Sequence, residues 1–213
     1  MRLAFLLAFL IGSPMASAQA ILKLDSLDAT VYPELLDRVR AGDMDVDYQR
    51  MRLAYTLTDA YAPYDIDPKK QKQRMFDLLF QKQTPEAALL VADSVLAGRY
   101  VDLDAQYGAG VAHDMLGNAD QAAFHFALFE GLMDSILRTA EGTQDDPFIV
   151  IATDEEYTLI GVLGLENKGQ SLMTCNGVPC DLLELHDSTD GADMRFFFDV
   201  SIPFGQMRRD LGE

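Results

Sequence analysis

From about residue 31 to residue 140, apolar positions recur at three- and four-residue steps, the period of helices that bury one face. Tyr32, Leu35, Leu36 and Val39 predict a helix opened by Pro33 and closed by Gly42. Tyr48, Met51, Arg52, Tyr55 and Thr58 predict a second, capped by Asp45 or Asp47 and running to about Tyr61. A third runs from Pro68 to about Lys82 on the stripe Met75, Phe76, Leu79 and Phe80. Pro85 opens a fourth that Gly98 stops. A fifth starts at Asp102 or Asp104 and ends near Leu116. The sixth, Ala119 to about Ala140, is apolar nearly all round, which predicts a central position in its layer.

The pattern then changes. Phe148 to Thr153, Gln170 to Cys175, Cys180 to His186 and Met194 to Val200 read as short strands, the last ended by Pro203. A short helix, Asp154 to Leu163, interrupts them. The prediction is an α+β protein: an N-terminal helical, tetratricopeptide-like layer over residues 19–140, then a small, mostly antiparallel sheet with one helix over residues 141–213. The repeat-like flavour rests on Gly110, Gly117, Ala122 and Phe126, small and aromatic residues spaced so that two helices can approach closely. They make up one unit, whereas a tandem array needs three or more.

The first 18 residues stand apart from this pattern. Arg2, the apolar run Leu3 to Ile11 and the small-x-small triplet Ala16-Ser17-Ala18 predict a cleaved signal peptide. The product is then periplasmic or secreted, with residues 21–30 as a tether and no membrane insertion after cleavage. Export changes the reading of Cys175 and Cys180, since an even cysteine count outside the cytoplasm suggests a bridge. The Asn-Gly-Val-Pro between them is turn chemistry. A redox pair would more often be spaced Cys-x-x-Cys.

Charge narrows the partners. Lys and Arg number 17 against 34 Asp and Glu, a net charge of −17. Such a chain repels phosphate backbones, so no nucleic-acid partner is expected. The acidity concentrates between Glu141 and Pro203, with 13 acidic residues and two basic ones. The exception is Lys69-Lys70-x-Lys72-x-Arg74, read as a solvated helix start.

The most conspicuous polar cluster is Thr153-Asp154-Glu155-Glu156-Tyr157, at a strand–helix junction. Thr153-x-x-Glu156 has the spacing of a capping box, and acids in a first turn favour the helix dipole. That leaves Glu155 and Tyr157 as candidate binding residues. Tyr61 and Tyr64 join them, because tyrosine offers apolar area plus a hydrogen bond. His125 is added because His113 and His125 lie on neighbouring predicted helices. No hydrolase elbow, P-loop or dinucleotide fingerprint occurs. No catalytic residue, metal ligand or cofactor is therefore assigned. Asp187 to Asp193 resembles a calcium loop only loosely, and a hairpin loop is favoured.

Several short motifs carry a family resemblance. They are Tyr48-x-x-Met51-Arg52-x-x-Tyr55, Tyr61-x-Pro63-Tyr64, Glu141-Gly142 leading into Phe148-Ile-Val, Glu155-Glu156-Tyr157-x-Leu159 with Gly164-Leu165, Gln170-Ser171-Leu172, Cys180-Asp181-Leu182 and Phe196-Phe197-Phe198-Asp199. On these the chain resembles an exported bacterial domain-of-unknown-function family, abundant in Bacteroidetes. The family usually has Gly-Asp-Gly where this chain has Glu141-Gly142-Thr143. The resemblance implies an exported soluble protein and supplies no catalytic residues. Two functions follow as expectations: a non-catalytic module of the cell envelope that binds a protein or peptide partner, or a carboxylate-based hydrolase acting on an envelope polymer.

Overall fold

The computed structural model describes residues 27–28, 30–138 and 140–212. The expected signal peptide and most of the tether lie outside the described residues. Among the described residues there are eight α-helices and four strands, six of the helices ahead of the first strand. The protein is α+β.

Helix α1 (Val31–Arg40) buries Val31, Tyr32, Leu35 and Val39, the predicted stripe. Helix α2 (Tyr48–Tyr55) is capped by Asp47, whose carboxylate accepts the Arg50 N–H. It stops at Tyr55, six residues short of the expectation. The Thr56 and Thr58 hydroxyls donate to the carbonyls of Leu53 and Tyr55, which satisfies last-turn acceptors and lets the chain leave the helix.

Helix α3 (Ile66–Phe76) continues into a π-helical turn, Asp77–Gln81. Helices α4 (Pro85–Gly98), α5 (Leu103–Met115) and α6 (Ala119–Leu137) follow as antiparallel neighbours. Gly110 shows why α5 and α6 can pack so closely: a Cβ there would sit 2.7 Å from the Phe126 ring. Helix α6 is buried along one broad face through Ala122, His125, Leu128, Leu132 and Ile136, while Phe124, Phe126 and Phe129 are only half-buried. It is thus less enclosed than its composition suggested.

The sheet has the order β1-β4-β3-β2. Strand β1 (Phe148–Ile149) pairs parallel with β4 (Asp193–Asp199). Strand β3 (Val178–Asp187) pairs antiparallel with β4 and with β2 (Leu165–Cys175). Strand β2 begins five residues earlier than predicted. Gly169 does not break it, because the register shift between Asn167 and Gly169 is absorbed as a bulge. The hairpin turn is also tighter than predicted. Cys175 pairs with Val178, leaving only Asn176 and Gly177, both with positive φ, as a two-residue turn. The Cys175 and Cys180 sulphurs are at disulfide distance, 2.15 Å.

Helix α7 (Asp154–Val162) joins β1 to β2. A last helix, α8 (Ser201–Asp210), follows β4 where the sequence suggested only a strand end. Pro203 lies in its first turn, where a missing N–H has no intrahelical bond to lose.

Two hydrophobic cores result. One draws on α3, the π turn, α4 and α5. The other unites α1, α2 and α6 with β1, α7, β3 and β4. The change from helices to sheet near residue 141 therefore falls within a shared core. Arg52 of α2 lies at its centre. Its guanidinium donates to Glu155 of α7 through Nε (3.1 Å to Oε1) and Nη2 (2.6 Å to Oε2), and to Ser135 Oγ of α6 and the Ile149 carbonyl of β1. Both charged side chains are 1% exposed.

Removing one partner of a buried ion pair leaves a bare charge and typically costs about 3–5 kcal/mol. Arg52→Ala is expected to lose about that much in urea denaturation. Arg52→Met combined with Glu155→Gln should recover most of it, because Gln still accepts the N–H that Glu155 serves. A loss below about 1 kcal/mol for Arg52→Ala would show that the pair is not the junction's clamp.

Candidate functional site

Three consecutive acids open α7, and a helix turns about 100° per residue. They therefore point three ways. Asp154 faces the helical layer, Glu155 the core, and Glu156 the sheet.

Asp154 meets Lys72 Nζ at 2.5 Å and Arg99 at 2.9 Å. Lys72 also contacts Asp102 at 3.2 Å and Asp104 at 3.0 Å. Lys72 is buried, against the expectation of a solvated basic run. Burial alone would lower its pKa, but the carboxylates of Asp102, Asp154 and Asp104 outweigh it and raise it. Burial would likewise raise Asp154, yet Arg99 and Lys72 hold its carboxyl well below the usual range. Asp102 is the true cap of α5, accepting the Ala105 N–H. Its other oxygen has ion-pair contact only, without hydrogen-bond alignment.

Glu155 does more than pair with Arg52. Its Oε2 accepts the Ile151 N–H at 2.9 Å. It thereby reaches back to a donor ahead of the helix, the task the capping box assigned to Glu156. The box itself does not form. Thr153 has helical angles (φ −66, ψ −20) instead of the extended ones a cap needs, and its side chain makes no cap bond.

Glu156 is left without a structural partner. It is 0% exposed, and neither carboxyl oxygen has a hydrogen-bond partner among the described residues. Burial first, then the charges of Asp181, Glu155 and Asp154, push its pKa up to about 9. It is an uncharged acid at neutral pH.

Asp181 of β3 is its counterpart. In β3 the residues Asp181, Leu183 and Leu185 share one face, and that face carries the core. Asp181 is 6% exposed, and its pKa is raised by burial. Gln170 of β2 donates to it through Nε2 at 2.8 Å and accepts the Tyr157 hydroxyl on Oε1. Across from Asp181 in the ladder stands Leu172, 56% exposed although it is on the core-facing side. Tyr64, in the segment between α2 and α3, is 41% exposed and Tyr157 is 44% exposed. Burial and the nearby charges of Glu156 and Asp181 raise the pKa of both phenols. The site thus sets two buried carboxyls within electrostatic reach of the exposed Tyr64 and Tyr157; Gln170 bridges Asp181 to Tyr157, and Leu172 completes the exposed rim. It lies where helical layer, α7 and sheet meet.

The sequence candidates divide accordingly. Tyr157 and Tyr64 come together on this rim. Glu155 is locked to Arg52. Tyr61 is buried, its hydroxyl donating to the Ile151 carbonyl at 2.6 Å. His125 has other neighbours. It hydrogen-bonds Gln106 at 2.7 Å through Nδ1, stacks on His113 and has its pKa lowered to about 4, by burial and then by His113. It lines a depression of about 310 Å³ between α4 and α6 that also holds Arg40 and Tyr100. Sequence reasoning missed Glu156, Asp181, Gln170 and Leu172 as site residues. One signal was available: Asp181 shares the inward parity of its strand with the apolar Leu183 and Leu185. Among the described residues no group of three or more His, Cys, Asp or Glu is placed to hold a metal, and no helix is long and apolar enough to cross a membrane.

Fold and site define a mixed α+β protein with a tyrosine-rimmed acidic site at the seam of its helices and sheet. The chain belongs to the family described as a domain of unknown function, DUF4919, which matches residues 24–209. No curated protein and no solved structure matches it.

The sign of the pH dependence follows from Glu156. Its folded pKa lies above its unfolded value of 4.5, so the folded state keeps a proton that the unfolded state has released. That stabilisation is complete below about 4.5 and is lost as pH rises towards about 9. His125 acts oppositely, but only below 6.5, as pH falls towards about 4. Between pH 6.5 and 8.5, stability in urea should fall by roughly 1 kcal/mol per pH unit. Glu156→Gln should flatten that slope and be the more stable form at pH 8.5. Equal slopes for the two proteins would contradict the assignment.

Proposed function

We infer that the protein is an exported, non-catalytic interaction module of the cell envelope, acting in the periplasm or after secretion. Its ligand is a peptide or a segment of a partner protein, received at the seam between helices and sheet. The observation that carries this reading is the unpartnered Glu156 beneath the exposed rings of Tyr64 and Tyr157. An unsatisfied buried polar group costs about 1–3 kcal/mol, a cost that a ligand offering donors would relieve. Exposed tyrosines around a buried polar centre are the anatomy of a binding hot spot. The leader-like first 18 residues and the cysteine pair support export.

A second reading rests on the same pair. Glu156 is held protonated beside Asp181, and an acid–carboxylate pair is what polymer hydrolysis requires. Its mark would be product release from an envelope polymer that Glu156→Gln abolishes.

Amide-resolved NMR of the mature chain, titrated with a mixed-sequence peptide library, tests the binding reading. Perturbations are expected to cluster at Tyr64, Tyr157, Gln170, Leu172 and Asp181. Perturbations that avoid these residues, or none with any peptide at millimolar concentration, would overturn it.

A further inference from the structure

The charges around Glu156 are one-sided. The charged and titratable groups that act on it or feel it are Asp154, Glu155 and Tyr157 on its own helix, Asp181 on the sheet and Tyr64 from the helical layer. The neighbouring cations are committed elsewhere: Arg52 to Glu155, Lys72 to three aspartates, Arg99 to Asp154 and Asp102. Gln170 is the donor that reaches Asp181, and Glu156 receives none. The site is therefore a carboxyl pair to which none of these cationic side chains is committed.

Its walls specify what kind of cation. Two exposed tyrosine rings offer negative π faces, which attract organic cations. Leu172 adds an exposed apolar surface for a hydrocarbon stem. Glu156 is wholly buried, so the charged head must be slender enough to reach it. A compact ammonium on a flexible four-carbon stem meets that condition better than a planar guanidinium. A bare divalent ion is poorly served, since two carboxyls fall short of its usual oxygen set. The net charge of −17 draws cations toward the surface.

We propose that the Glu156–Asp181 site takes a primary ammonium on an apolar stem, with a lysine side chain of the bound peptide as its source. This rests on the binding function inferred above and names its ligand class. Binding moves one proton. The acid R–COOH of Glu156 ionises as the ammonium arrives, the carboxylate and ammonium pair, and the proton goes to solvent. Affinity should accordingly rise with pH, by up to tenfold per unit between pH 6 and 8.

Calorimetry on the full mature chain provides the test, using an acetylated, amidated Gly-Lys-Gly peptide. Two variants of that peptide, with acetyl-lysine and with Glu at the centre, serve as comparisons, and cadaverine is the free amine. The lysine peptide is expected to bind and to release about one proton at pH 7, read as different heats in phosphate and Tris buffers. Acetyl-lysine and Glu peptides should bind at least tenfold more weakly. Cadaverine binding as tightly as the lysine peptide would assign the source to free amines, while weaker binding would assign it to peptides. Glu156→Gln should weaken the lysine peptide at least tenfold at pH 8 and remove the buffer dependence. Tyr64→Ala should weaken it without changing the proton count. Asp120→Asn, an exposed charge on α6, should change neither. Equal binding of the lysine and acetyl-lysine peptides, or no released proton, overturns the ammonium assignment while leaving a peptide site intact. Absence of binding by every peptide in both calorimetry and NMR removes the binding function itself.

Discussion

The buried ion pair between Arg52 and Glu155 is the constraint on which the rest of the structure depends. It ties α2 and α6 of the helical layer to β1 and α7 at the start of the sheet. An ion pair taken wholly out of water contributes little net stability unless further hydrogen bonds complete it. Here Ser135, the Ile149 carbonyl and the Ile151 N–H do so. The pair's value is positional. It fixes the rotation of α7, and thereby the directions taken by Asp154 and Glu156 on either side.

Those two neighbours meet opposite fates. Asp154 enters a network rich in cations and is held ionised. Glu156 enters an apolar, acidic environment and is held neutral. Two residues of one helix turn, two positions apart, thus differ in charge because the elements packed against them differ. Partnered carboxylates explain themselves as structure. A buried carboxyl with no protein partner is instead an exception that needs an explanation, which the proposed ligand supplies. In the function proposed above, Glu156, and not the more conspicuous Glu155, is therefore the residue that would meet the ligand.

Much of the architecture was legible because it rests on periodicity. The stripe of α1, the cap at Asp47, Pro85 opening α4 and the three long strands follow local rules that the chain obeys. What was not legible depends on contacts distant in sequence. Arg52 stood in the apolar stripe of a predicted helix, the mark of a buried arginine, but its partner lies 103 residues away. Lys72 looked solvated because its three aspartates come from α5 and α7. The capping-box pattern misassigned Glu156 because spacing does not reveal that Thr153 is already helical. Tyr61 and Tyr64 were indistinguishable in sequence, yet one is sealed in the core and the other stands at the rim. Helix α8 was hidden by reading Pro203 as an end when it also suits a beginning.

The proposed role turns on Glu156 being an uncharged acid at the seam. Carboxyl carbon NMR of glutamate-labelled protein tests it most directly, with the resonance assigned by its loss in Glu156→Gln. In the free protein that resonance should stay in its protonated position at pH 7 and titrate near 9. A midpoint near the ordinary 4.5 would contradict the account, since Glu156 would then be charged and either solvated or already paired.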